Sequence, residues 1–147
     1  MTSDPSSRDG ILAYAKESFG FLERAGSKRV TADDTSTGTT LAYILDLVTI
    51  EVELDWREGF VMVLVCRTVD GKRPPGYYAH EGKRMRVHLA EVLDSGTEED
   101  RTVAKELRQV VKRSGPDAMR AQIDAFAAAL RGVLDRLPEI HARFFAD

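Results

Sequence analysis

TIEVELDWREGFVMVLVCRTV, residues 49–69, is the stretch that decides the fold. In its first half Ile50, Val52, Leu54 and Trp56 alternate with Glu51, Glu53 and Asp55. A period of two with β-branched residues predicts a strand with one buried face and one wet face. Arg57-Glu58-Gly59 predicts a turn. Phe60 to Val65 is apolar at every position, which suits a central strand covered on both faces.

Working outward toward the N-terminus, Asp46 marks a turn, and residues 39–45 read as a strand, although Leu41 to Leu45 also fits a helix. Residues 33–38 form a turn-rich loop and residues 28–31 a short strand. A helix is expected over residues 9–25, with Ile11, Leu12, Ala15, Phe19 and Leu22 on one face. Asp9 can cap its start, Gly26 suits its stop, and Gly20 marks a bend or a close backbone approach. Residues 1–7, rich in Ser, Asp and Pro, are expected to fray.

Toward the C-terminus, Asp70-Gly71 predicts a hairpin-type turn. Pro74-Pro75-Gly76 makes the following segment irregular. Residues 84–87 read as an edge strand guarded by Lys and Arg, and residues 88–93 as a short helix that Ser95-Gly96 breaks. A helix over residues 98–112 has Thr97 as N-cap and acids in its first turn. A second begins at Gly115-Pro116 and runs to residue 137, and Pro138 ends or kinks it. Ile140, Phe144 and Phe145 then form a short terminal helix. The sum is one α+β domain over residues 1–147: an antiparallel sheet of four to five strands, with an N-terminal helix and two C-terminal helices packed on one face.

The 147 residues suffice for a core without staples, and 43% hydrophobic with 31% charged content is ordinary for a globular chain. A net charge of −3 argues against general nucleic-acid binding, which needs a basic footprint. The lone Cys66 cannot form an internal disulfide. The N-terminus is polar, with no signal peptide pattern, and the apolar runs are far shorter than the roughly 20 residues of a membrane span. The expectation is a cytoplasmic protein.

Chemistry is sparse. Glu51, Glu53 and Asp55 share a strand face; parallel side chains fit partner recognition or a solvated surface better than a converging metal site. Residues 72–88 carry Lys72, Arg73, Lys83, Arg84 and Arg86 against the single acid Glu81, with Tyr77, Tyr78 and His80 among them. Basic plus aromatic is the look of a ligand or phosphate loop, set against a flexible loop leading to a protected edge. His80, His88 and His141 sit in no zinc-type spacing, so neither metal nor cofactor is expected. Cys66, among valines and a leucine, reads as inert packing. Trp56 points by alternation to the core, or, at a sheet end, forms an anchor with Asp55 and Arg57.

One resemblance adds to this. Phe21-Leu22 before Gly26, the strand TIEVELDWREG over residues 49–59, and Arg67, Asp70, Gly71 and Pro74 in order resemble small bacterial proteins grouped with the immunity proteins of polymorphic toxin systems. That resemblance implies a non-enzymatic protein-binding module that masks a toxin or other basic partner. Helix–sheet–helix order with an acidic pI is also similar, at fold level, to type III secretion chaperones. On the leading reading the acid row Glu51, Glu53 and Asp55 docks a basic partner, with Trp56 and Arg57 behind it. The alternative is a small-molecule-binding protein or enzyme. Its pocket would lie between the sheet and the C-terminal helices, with Tyr77, Tyr78 or His80 at its mouth. A homodimer through the outward sheet face is the third.

Overall fold

The computed structural model describes residues 7–146. The expected fraying of residues 1–6 lies outside them. Ser7 is ordered, and it rather than Asp9 caps the first helix: its Oγ accepts the Gly10 N–H at 3.1 Å. Helix α1 spans Arg8–Ser18 and α2 spans Phe21–Arg24. The single helix expected over residues 9–25 is therefore broken, at Gly20, whose N–H turns back to the Glu17 carbonyl at 3.1 Å. The bend lets Phe19, Phe21 and Leu22, close neighbours in sequence, all turn inward. A straight helix could not bury all three on one stripe.

Strands β1 (Lys28–Ala32), β2 (Gly38–Ile44), β3 (Val48–Asp55) and β4 (Phe60–Arg67) form an antiparallel meander. A short hairpin follows, β5 (Ala79–His80) and β6 (Lys83–Arg84), before β7 (Arg86–His88) closes the sheet in the order β1-β2-β3-β4-β7. The hairpin replaces the irregular chain expected there; Glu81 and Gly82, both at positive φ, make its turn. Asp70 and Gly71 share that geometry, and the Val69–Lys72 bridge closes the predicted turn. Between β3 and β4, Asp55 Oδ1 accepts the Glu58 N–H at 2.7 Å and Gly59 takes φ 72°. A side chain at Gly59 would meet the Gly115 backbone nitrogen at 2.7 Å, so two glycines let this turn touch the start of the long C-terminal helix.

Helices α3 (Leu89–Asp94), α4 (Glu98–Val110), α5 (Pro116–Val133) and α6 (Leu137–Phe144) follow, with a 3₁₀ turn at Leu134–Arg136. Pro138 sits in the first turn of α6, where its missing N–H leaves no bond unmade. The break it was expected to cause falls just upstream, in the 3₁₀ turn. One sheet face (Leu41, Tyr43, Ile50, Val52, Val63 and Val65) packs with Ile11, Leu107 and Ile123 from the helices in a single core. Each such side chain contributes about 1.5–3 kcal/mol when buried.

Tyr43 is fully buried beside Phe19, and its hydroxyl has no hydrogen-bond partner among the described residues. Burial drives its pKa upward. Tyr43→Phe removes a desolvated hydroxyl and keeps the ring, so the protein should gain about 1 kcal/mol, read as a higher urea midpoint.

Thr97 and Asp100 form a capping box on α4, and Asp100 also receives Arg136 at 2.7 and 2.9 Å. The Arg136 hydrogen bonds lead in lowering the Asp100 pKa from 3.8 to about 2. Its contribution is therefore complete above pH 3.8 and lost as the pH falls through about 2. Asp100→Asn should cost about 1–2 kcal/mol at neutral pH, and its gap from wild type in urea should shrink as the pH drops below 4.

Candidate functional site

Strand register places Thr49, Glu51, Glu53 and Asp55 on the sheet's second face, with Ala42 and Leu64 flanking Glu51. The sequence predicts that this face is wet. The structure corrects that: Glu51 is 0% exposed, as are Ala42, Thr49, Leu64 and Cys66. The cover is the basic segment that follows β4. Arg86 grips Glu51 with two bonds, 2.6 and 3.0 Å, and Arg73 donates a third at 2.6 Å. The remaining Arg86 donors reach the carbonyls of Pro74, Gly76 and Tyr77 at 2.8–3.1 Å. One buried carboxylate thus holds two guanidiniums, and one of these pins the crossing chain. Burial alone would raise the Glu51 pKa; the Arg86 and Arg73 bonds outweigh it and hold it below the ordinary value.

The other expected contact residues have separate roles. Glu53 is half-buried, with Tyr77 Oη 3.4 Å away, and burial followed by the charge of Glu51 raises its pKa. Asp55 shapes the β3–β4 turn. Trp56 is half-buried at the sheet end, its Nε1 donating to Thr39 Oγ1 at 2.8 Å beneath the Arg8 guanidinium. Arg57 is exposed, 3.9 Å from Glu58. The five do not form one continuous acidic surface, because Glu51 cannot be reached from solvent.

The expected ligand-loop residues sit on the covering segment. Tyr77 and Tyr78 pack edge to face with ring centres 4.4 Å apart, and Tyr78 Oη lies 2.7 Å from His88 Nε2. His80 is exposed on the hairpin beside Glu81. Cys66, beneath, has its thiol pushed well above the usual pKa by burial, which suits packing rather than nucleophilic attack.

A groove of about 650 Å³ does lie between the sheet and the C-terminal helices. It exists because β7 pairs with β4 only over Leu64–Cys66; after His88 the chain turns away into α3. Gln122, fully buried on α5, takes the place of the missing strand. Its Oε1 accepts the Val61 N–H at 2.7 Å, and its Nε2 donates to the carbonyls of Val110 and Arg113 at 3.3 and 2.9 Å. Val61 and Val63 are each only 1% exposed. Buried Val63, Leu89, Leu107 and Phe126 form the floor, and Met62 and the 36%-exposed Val111 the lip.

Tyr77, Tyr78 and His80 are not at this mouth; His88 is, and Tyr78 reaches the groove only through it. The polar rim groups already have partners: Arg108 with Asp94, Glu91 with Arg84, His88 with Tyr78. What the groove offers a ligand is apolar contact. Sequence reasoning placed a pocket between the sheet and the C-terminal helices but gave it the wrong mouth, and it missed Gln122.

No helix among the described residues is long and apolar enough to cross a membrane. Comparison with protein-family models, curated proteins and solved structures finds no match to this chain. The site is accordingly read from its own residues.

Proposed function

We propose that this protein is a non-enzymatic protein-binding module, and that an apolar segment of a partner docks in the groove between β4, α3 and α4. The observation that carries this is an apolar groove whose rim charges are all internally paired. A small polar ligand would find few free groups to orient it there. Apolar anchors from a protein need only a desolvated pocket with a polar rim. The resemblance to immunity-type proteins supports the same class, with a toxin-like partner as its finer form.

The test is a pull-down from native lysate with wild type, Val111→Glu, and a Glu53→Lys/Asp55→Lys variant, all matched for urea midpoint. Val111 is on the lip, so a charge there should be tolerated by the fold. One protein retained by wild type and by the lysine variant, and lost by Val111→Glu, is the expected result. Loss with the lysine variant alone would return the site to the acid row.

A volume of about 650 Å³ also falls in the range of small-molecule pockets. On that second reading native mass spectrometry of the purified protein finds a bound apolar molecule that Val111→Glu lacks.

A further inference from the structure

The segment over residues 72–84 crosses the second face of the sheet while burying very little of itself. Pro74 is its only buried residue, and Tyr77 and Tyr78 remain 46% and 42% exposed. Its attachments to the body are nearly all polar: Arg73 to Glu51, Arg86 to three carbonyls, Tyr78 to His88, and the Met85 N–H to the Tyr78 carbonyl. Beneath it lie fully buried Leu64 and Cys66, with Ala42 and Thr49. They stand outside the main core, which is on the helix side.

A segment with few buried apolar contacts opens at lower free energy than the body it covers. We infer that residues 72–84 are a strap that opens locally over the sheet's second face, with the Arg73–Glu51 bond as its latch. Arg86 stays with β7 when the strap lifts, because its backbone is in the sheet and its guanidinium keeps both bonds to Glu51. Arg73 departs with the strap, and the three strap carbonyls leave Arg86. The opening therefore leaves Glu51 paired, and the cooperative core is not disturbed. Tyr78 of the strap touches His88 of β7, on the rim of the groove, so the strap's position and that of the groove wall are joined through this contact.

Cys66 is the built-in reporter, since it is the one thiol and is buried under this face. The experiment follows its reaction with an aromatic disulfide reagent in native buffer and through low urea, beside global unfolding followed by Trp56 fluorescence. Three proteins are compared: wild type, Arg73→Ala and Gln122→Leu. Wild-type labelling should be faster than global unfolding permits and nearly independent of low urea. Arg73→Ala should label about tenfold faster or more, the worth of a charge-assisted bond, while its urea midpoint falls by no more than that same free energy. Gln122→Leu should lower the midpoint and leave labelling without urea unchanged; Asp100→Asn replaces it if it does not fold. Labelling that tracks global unfolding in all the proteins overturns the inference, as does an Arg73→Ala rate no faster than wild type.

Discussion

Glu51→Gln is expected to lower the free energy of unfolding by about 3–5 kcal/mol, the cost of leaving a buried charge without its counterion. Arg86 is 5% exposed, and two of its bonds end on the Glu51 carboxylate. A neutral amide keeps the shape and one acceptor but neither the charge nor the paired acceptor oxygens. Chemical denaturation at pH 7 reads the loss directly.

The pH dependence has a fixed sign. The Glu51 pKa is held below its ordinary value of 4.5, so its contribution is complete above that pH and lost as the pH falls through the lower folded value. The wild-type and Glu51→Gln curves should therefore converge in acid. Glu53 acts oppositely: burial and the charge of Glu51 raise its pKa, so its ionised form weakens the fold at neutral pH. The double substitution Glu51→Leu with Arg86→Met should regain much of the loss, since an apolar pair can replace a buried ion pair. It would do so without restoring the strap, because Arg86 also holds three strap carbonyls.

Gln122→Leu is the second large effect, about 2–4 kcal/mol, from buried backbone groups left unpaired. The substitution fits the volume and suits an apolar stripe, so hydrophobicity alone would predict a gain. The structure predicts a loss. Val61 N–H loses its acceptor, and the carbonyls of Val110, at the end of α4, and of Arg113, beyond it, lose their donor. Gln122→Glu is no rescue: ionised, it is a buried charge without a counterion facing the carbonyls of Val110 and Arg113, so at pH 7 its midpoint should lie at or below that of Gln122→Leu.

These two residues also mark where the sequence was legible and where it was not. Strand positions, the Asp70-Gly71 turn and the helix caps are local signals, and β2, β3 and β4 start and stop within a residue or two of expectation. Alternation in residues 49–56 correctly sorted the two faces of β3. It could not say what covers the second face, because that cover lies some 22 residues further along the chain. The available signal was charge: an acid row and, after it, a segment with one acid and five basic residues. Read separately they suggest two surfaces for two partners; in the fold their central members, Glu51, Arg73 and Arg86, are each other's partners. Gln122 likewise had a signal, a polar residue at a stripe position between Met119 and Phe126. The groove was placed between the right layers, but its lining had no signal, since it arises where β7 stops short of the end of β4, and strand length is the least local property of a sheet.

The central functional claim is that the apolar groove, and not the acid row, meets the partner. Photo-crosslinking tests it most directly, with a benzophenone side chain placed at Val111 in one protein and at Glu53 in another, each irradiated in native lysate. One discrete protein adduct is expected from the groove position and none from Glu53. An adduct from Glu53 alone would contradict it.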